Sequence, residues 1–202
     1  MADKIVIDIF KTKNAEDFTK ALSDPDGKLE VGSAAAYTAA CAAALLQRAA
    51  SLTARANNNE RVEYISRNAE TLRAYMVHLI DEDVKSRGPL AKALKEGDAR
   101  KIEAARQPAA CIANEIVNMM SQCLDFMREL TELCPKEAVQ YLGEGAELAM
   151  ASVKSCMMYL VAMADECSDE TYRFVTCREN EISLAQCQSA FDAVIEKTKA
   201  VI

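Results

Sequence analysis

Apolar positions recur at intervals of three and four along most of this chain, which is the spacing of one face of an α-helix rather than the alternation of a strand. Val62, Ile65, Ala69, Leu72, Met76, Leu79 and Ile80 form the longest such stripe. Turn and capping residues divide the pattern. A short amphipathic helix starts at Asn14 and stops at Asp24-Pro25-Asp26-Gly27. A second is expected from Ser33 to Ala56, ending at Asn57-Asn58-Asn59. A third starts near Glu60 and is closed by Gly88-Pro89, because proline removes a donor and disfavours helical backbone at the residue before it. Pro89 then opens a short helix ending at Gly97. A fourth covers Asp98 to Leu133 with Pro108 inside it, where a kink or break is expected. A fifth runs from Cys134-Pro135 to Glu166, and the last from Ser168 or Asp169 to Lys199. No repeat, low-complexity tract or linker interrupts them. The expectation is an all-α fold: one domain over residues 1–202, a single up-and-down bundle of long helices that dimerises through helix faces.

The segment from Gly32 to Gln47 is distinct from the rest. It is uncharged and built mostly of alanine, the best helix former but a poor source of buried area. Such a helix suits a central position where neighbours approach closely. Ser33 reads as its N-cap, which would turn backbone N–H groups and the positive end of the helix dipole toward an anion. An ordinary capped core helix fits the same residues.

Composition narrows the picture. Half of the 202 residues are hydrophobic, yet only 5% are aromatic, with no Trp, six Gly and four Pro. The net charge of −7 and pI of about 4.9 argue against nucleic acid as a partner. Basic residues do recur from Arg48 to Arg106, either as a local face for an anionic small molecule or as solvated helix surface paired at i, i+4. Eight cysteines without a CxxC, and a single histidine, exclude the common zinc spacings, so no metal is expected. The cysteines read as reduced core residues of a cytoplasmic protein. The first ten residues carry acids within their apolar stretch and do not read as a signal peptide. Val31–Gln47 is too short and too weakly apolar for a bilayer, so no membrane partner is expected.

Two constellations could carry chemistry. In Asp81-Glu82-Asp83, the last carboxylate shares a face with Leu79 and Ile80, whereas Glu82 points away. A carboxylate on the buried side costs free energy unless paired, and such groups serve as general acids or bases. A salt bridge to Lys85 or Arg87 is the structural alternative. His78 lies one turn before Glu82 and could pair with it. Gly143-Glu144-Gly145 breaks helical propensity and marks a helix start, a close crossing or a ligand approach.

Four features together resemble one family: Gly32-Ser33-Ala34-Ala35-Ala36, Leu52-Thr53, Leu79-Ile80-Asp81-Glu82-Asp83, and the spacing from Ala104 to Pro108. In these residues, and in helix order from Asn14 onward, the chain is similar to the cyclodeaminase/cyclohydrolase family. That family includes methenyltetrahydrofolate cyclohydrolases and the cyclodeaminase domain of formiminotransferase-cyclodeaminase. The resemblance implies an all-α homodimer that acts on a one-carbon unit of tetrahydrofolate, a folate-like anion, with no metal, nucleotide or permanently bound cofactor. It implies Asp83 as the catalytic carboxylate and Gly32, Ser33 and Thr53 as substrate-binding residues. The chain departs from the family pattern at Leu29-Glu30-Val31, where a glycine-rich turn is usual, and at Arg55-Ala56-Asn57-Asn58-Asn59, where a Gly-Lys-rich stretch is usual. Arg87 stands in place of a phenylalanine, Gly143-Glu144 in place of a Ser-Asp pair, and Leu160 in place of an asparagine. Arg87 and Glu144 are thereby candidates for substrate contact. Two functions follow: a folate one-carbon enzyme, or a catalytically degenerate or substrate-shifted homologue that binds a small anion or serves as a structural helical protein.

Overall fold

Six helices account for nearly all of residues 9–201, the part of the chain that the computed structural model describes: α1 (Ala15–Leu22), α2 (Val31–Ala56), α3 (Glu60–Glu96), α4 (Ala99–Leu130), α5 (Lys136–Asp165) and α6 (Glu170–Val201). Most of the apolar stretch at the N-terminus lies outside the described residues. Short polar side chains start several helices by occupying otherwise orphaned amides. Asn14 accepts from the Asp17 N–H, Asn59 from Arg61, Asp98 from Arg100 and Lys101, and Asp169 from Thr171 and Tyr172. Gly97 ends α3 in the left-handed region, with φ 69°.

Three boundaries differ from the sequence expectation. Gly88-Pro89 does not close α3, which continues to Glu96. Gly88 has no Cβ to meet the proline ring that follows it, and apart from its chain neighbours nothing lies within 4 Å of where one would stand. The carbonyl that loses its donor belongs to Lys85, an exposed residue, while Leu90 and Ala93 remain buried and hold the last turns to the bundle. Pro108 likewise leaves α4 unbroken. Its freed carbonyl is on exposed Ala104, and Ala109, Ala110, Ile112 and Ala113 pack immediately beyond it. Finally, Ser33 is not an N-cap. Helix α2 starts two residues earlier at Val31, with Glu30 at the cap position making no side-chain cap bond, and Ser33 is fully buried within the first turn.

The five long helices alternate in direction, up, down, up, down, up. Cross-contacts show the antiparallel pairing: Ser33 meets Asp83 between α2 and α3, Arg61 meets Glu129 between α3 and α4, and Ser152 meets Ala35 between α5 and α2. Helix α2 lies between α3 and α5 and also touches α4, whereas α6 packs on α4 and α5. The alanine stripe Ala35, Ala36, Ala39, Ala42, Ala43, Ala49 and Ala50 faces these neighbours and is almost entirely buried. Bulk comes from Leu46 within α2 and from Ile65, Met76, Ile116, Met120, Leu124, Met127, Leu142 and Met150 around it. Gly145 passes close to Ala42 and Leu45 of α2 and to Met127 of α4, and Gly143 passes close to Thr198 of α6. By length and composition α5 could cross a membrane, with a mean hydropathy of 1.3 over its most apolar window; 44% of that window is buried inside the bundle.

The crossing at Gly143 yields a test. A Cβ there would stand 2.7 Å from Cγ2 and 2.9 Å from Oγ1 of Thr198, a β-branched side chain with little freedom to move. Gly143→Ala is expected to lower stability by about 1–3 kcal/mol despite its better helix propensity, measured as the midpoint of urea unfolding. Adding Thr198→Ala, which removes both clashing atoms, should recover part of the loss.

Candidate functional site

At the end of the bundle where α2 begins, Asp83 of α3 faces the first turn of α2 and is 1% exposed. Its position follows from the helical period, which puts it on the face of Leu79 and Ile80. The Ser33 hydroxyl donates to Asp83 Oδ2 at 2.6 Å and also lies 3.3 Å from the Ile80 carbonyl. Arg87, one turn beyond Asp83, directs Nη2 and Nε to the same carboxylate oxygen at 3.0 and 3.3 Å. Gly32 makes this approach possible: a Cβ there would stand 2.6 Å from the Asp83 carboxyl carbon.

Arg87 has two further partners. Nη2 donates to the Lys28 carbonyl at 3.0 Å, and Nη1 pairs with the Glu30 carboxylate. Burial opposes the charge on Arg87, but the adjacent Asp83 and Glu30 carboxylates outweigh it and hold its pKa above the ordinary value. Tyr159 of α5 completes the surroundings, its hydroxyl 3.5 Å from the Ala109 carbonyl. Burial raises its pKa to about 12, against the opposing influence of Arg87. Cys156, one turn before Tyr159, is also raised to about 12 by burial and then by the charge of Asp83, so it is held as a thiol.

The structure therefore joins Gly32, Ser33, Asp83 and Arg87. It does not bring Thr53 or Glu144 to them. Thr53 lies roughly 30 Å further along α2, at 1.5 Å per residue, where its hydroxyl donates to the Ala49 carbonyl at 2.8 Å. Glu144 is exposed on α5, next to the crossing with the middle of α2. His78 and Glu82 do approach each other, at 3.7 Å, but on the solvated side of α3. There Lys85, 2.7 Å from Glu82, holds that carboxyl below its usual range.

Asp81 is a second buried carboxylate near Asp83 that the pattern of apolar positions did not single out. It is 5% exposed, and its Oδ1 accepts from the Phe10 and Lys11 amides at 2.7 and 3.2 Å. Two positions apart on a helix, Asp81 and Asp83 point about 200° from one another. One therefore meets the N-terminal segment and the other meets α2. That spacing was the available signal.

Among the described residues, no group of three or more His, Cys, Asp or Glu converges. All eight cysteines are free, and burial raises the pKa of Cys123 to about 12. A surface groove of about 770 Å³ between α5 and α6 is lined by apolar Met157, Met158, Val161 and Leu184 and shares no residue with the Asp83 cluster.

The family model for formiminotransferase-cyclodeaminase matches residues 14–180, most of the chain and all of this site. The chain belongs to that family. Its fold is also similar to the crystal structure of formiminotetrahydrofolate cyclodeaminase from Thermotoga maritima, with a TM-score of 0.88, covering 95% of this chain and 98% of that one at 20% sequence identity. No curated protein matches the sequence. In this family member, then, the all-α fold is shared while most side chains differ, and the Asp83 cluster has to be read from its own geometry.

That geometry predicts how the site fails. Removing Arg87 leaves Asp83 buried beside a single hydroxyl donor. Arg87→Met is expected to destabilise the protein by about 3–5 kcal/mol, while Arg87→Met combined with Asp83→Leu should be markedly less damaging. Chemical unfolding of the two variants beside the parent checks both.

Proposed function

We propose that this protein converts a tetrahydrofolate derivative, by hydrolysis of the 5,10-methenyl bridge or by loss of ammonia from the 5-formimino form, with Asp83 as the catalytic carboxylate. The observation that carries the reading is the position of Asp83: a carboxylate removed from water where α2 starts, clamped between Ser33 and Arg87 against a glycine. Core packing gains nothing from such a group, since burying a charge is costly unless it is paired. Membership of the formiminotransferase-cyclodeaminase family supplies the substrate class.

Paired with Arg87, Asp83 enters as a carboxylate and hence as a proton acceptor. In hydrolysis it takes a proton from the water that adds to the methenyl carbon and passes it to N5 as the C–N5 bond breaks, while the added hydroxyl loses its own proton to solvent and becomes the formyl carbonyl on N10. In deamination, the second folate nitrogen attacks the carbon of the protonated formimino group, Asp83 relays a proton from the attacking nitrogen to the amino nitrogen, and the C–N bond to that nitrogen breaks to release ammonia and leave the methenyl cation. Ser33 orients the carboxylate through its hydroxyl, and Gly32 sets the distance between the helices. The protein is read as a cytoplasmic homodimer without a permanently bound cofactor; Met158, Phe174, Val175 and Ile182, exposed on α5 and α6, are the apolar positions a second copy would cover.

One observation favours a second reading. The same carboxylate oxygen of Asp83 already holds Ser33 and Arg87, and Glu30 brings a negative charge to the start of α2. A scaffold that binds a small anion without turning it over, or has a purely structural role, would tolerate that arrangement.

Decay of methenyltetrahydrofolate absorbance separates the two. The enzyme reading expects acceleration over buffer and a fall of about 10²–10⁴-fold in Asp83→Asn, the usual contribution of a positioned proton-transfer group. Acceleration that survives the substitution removes Asp83 from the mechanism. No acceleration of that decay by the parent protein, together with no formation of the methenyl absorbance from 5-formiminotetrahydrofolate, selects the scaffold.

A further inference from the structure

Helix α5 leaves much of its apolar surface uncovered. Its most apolar window has a mean hydropathy of 1.3, and less than half of that window, 44%, is buried inside the bundle. Toward α6, Met158 is 70% exposed, Val161 is half-buried and Ala162 is exposed. With Leu184 of α6 they line the groove of about 770 Å³ between the two helices. Of the ten large apolar side chains exposed among the described residues, five belong to these helices: Met158, Phe174, Val175, Ile182 and Leu184. Apolar surface concentrated in this way marks a docking face.

The ends of the groove indicate what docks. Lys154, Met158, Val161 and Asp165 follow at intervals of four, three and four, so they share one face of α5. Lys154 and Asp165 are exposed, and neither has an ion pair or side-chain hydrogen bond among the described residues. Glu181, on the opposite wall of the groove, is already held by Arg178 at 2.8 Å. The two unpaired charges stand about 17 Å apart along α5, with Met158 and Val161 between them. A stripe that is basic at one end, apolar in the middle and acidic at the other is complementary to itself when turned end for end. A two-fold axis at its midpoint brings Met158 and Val161 of both copies together. The same axis sets Lys154 of each copy against Asp165 of the other. A bilayer fits less well, because the groove also carries Asp165 and Glu181, which an anionic lipid surface repels.

We infer that the α5–α6 groove is a two-fold interface, with α5 packed antiparallel on α5 of a second copy and each end closed by a Lys154–Asp165 pair. The inference rests on the homodimer reading and adds the face, the direction and the residues that fix the register.

Sedimentation velocity of the full-length protein at micromolar concentration tests it. The parent is expected to sediment as a dimer. Lys154→Glu and Asp165→Lys each bring like charges together twice in a dimer, and each should weaken self-association at least roughly tenfold. An equimolar mixture of these two variants should dimerise about as well as the parent. In the mixed pair Glu at position 154 faces Lys at position 165, and the native Lys154 faces the native Asp165, so both ends are attractive again. Both substituted side chains are exposed, so the unfolding midpoints of the monomers should stay unchanged. Met158→Glu, at the apolar centre, should leave only monomer. A dimeric parent that neither charge reversal weakens, or a mixture that fails to recover dimer, overturns the inference and leaves the homodimer reading standing. A monomeric parent overturns both, and its co-sedimentation with vesicles of phosphatidylcholine and phosphatidylglycerol would assign the stripe to a membrane instead.

Discussion

The ion pair between Asp83 and Arg87 is the constraint around which this end of the bundle is arranged. A charge withdrawn from water inside stacked helices must be met on several sides at once, and each requirement falls on a different part of the chain. Arg87 meets it from one turn along the same helix. Ser33 meets it across the α2–α3 interface. Gly32 meets it by having no side chain. Because those three demands are specific in position, they fix the register of α2 against α3 in a way that a smooth alanine surface does not. A buried pair of this kind adds little net stability compared with a hydrophobic replacement, so positional definition is its structural yield.

The two ends of α2 therefore differ in kind. Near its start the helix is held by charge and hydrogen bonds, and its carbonyl at Ala35 also receives the Ser152 hydroxyl at 2.9 Å. Further along it is held by proximity, with Gly145 of α5 passing over Ala42 and Leu45. Thr53, near the far end, satisfies its hydroxyl within its own helix. A polar residue in a buried stripe thus has two quite different meanings, and only the partner across the interface tells them apart.

That distinction marks what was legible in the sequence. Apolar periodicity and short capping residues placed eleven of the twelve ends of the six helices within three residues, and the burial of Asp83 followed from its place beside Leu79 and Ile80. The helix boundary at Gly88-Pro89 was misread because the rule for proline is local, whereas the outcome depended on two nonlocal facts: Lys85, whose carbonyl loses its donor, is on the exposed side, and Leu90 and Ala93 are buried. Ser33 was expected to cap its own helix, and it does not. Its hydroxyl serves a carboxylate fifty positions away rather than the amides of its own helix. Asp81 went unassigned because its partners are backbone amides at Phe10 and Lys11, which no side-chain pattern announces. Thr53 and Glu144 matched by position in a family pattern, and position along a helix of this length does not ensure convergence.

The placement of α2 between α3 and α5 also bears on how the protein is made. The hydrogen bond from Ser152 to Ala35 joins residues 117 positions apart. At a synthesis rate of roughly 5–20 residues per second, the second face of α2 waits about 6–23 s for its cover after it has left the ribosome. An alanine-rich surface offers little for a chaperone or another nascent chain to grip during that interval, so the same small side chains that permit close packing in the finished bundle keep the unfinished one from aggregating.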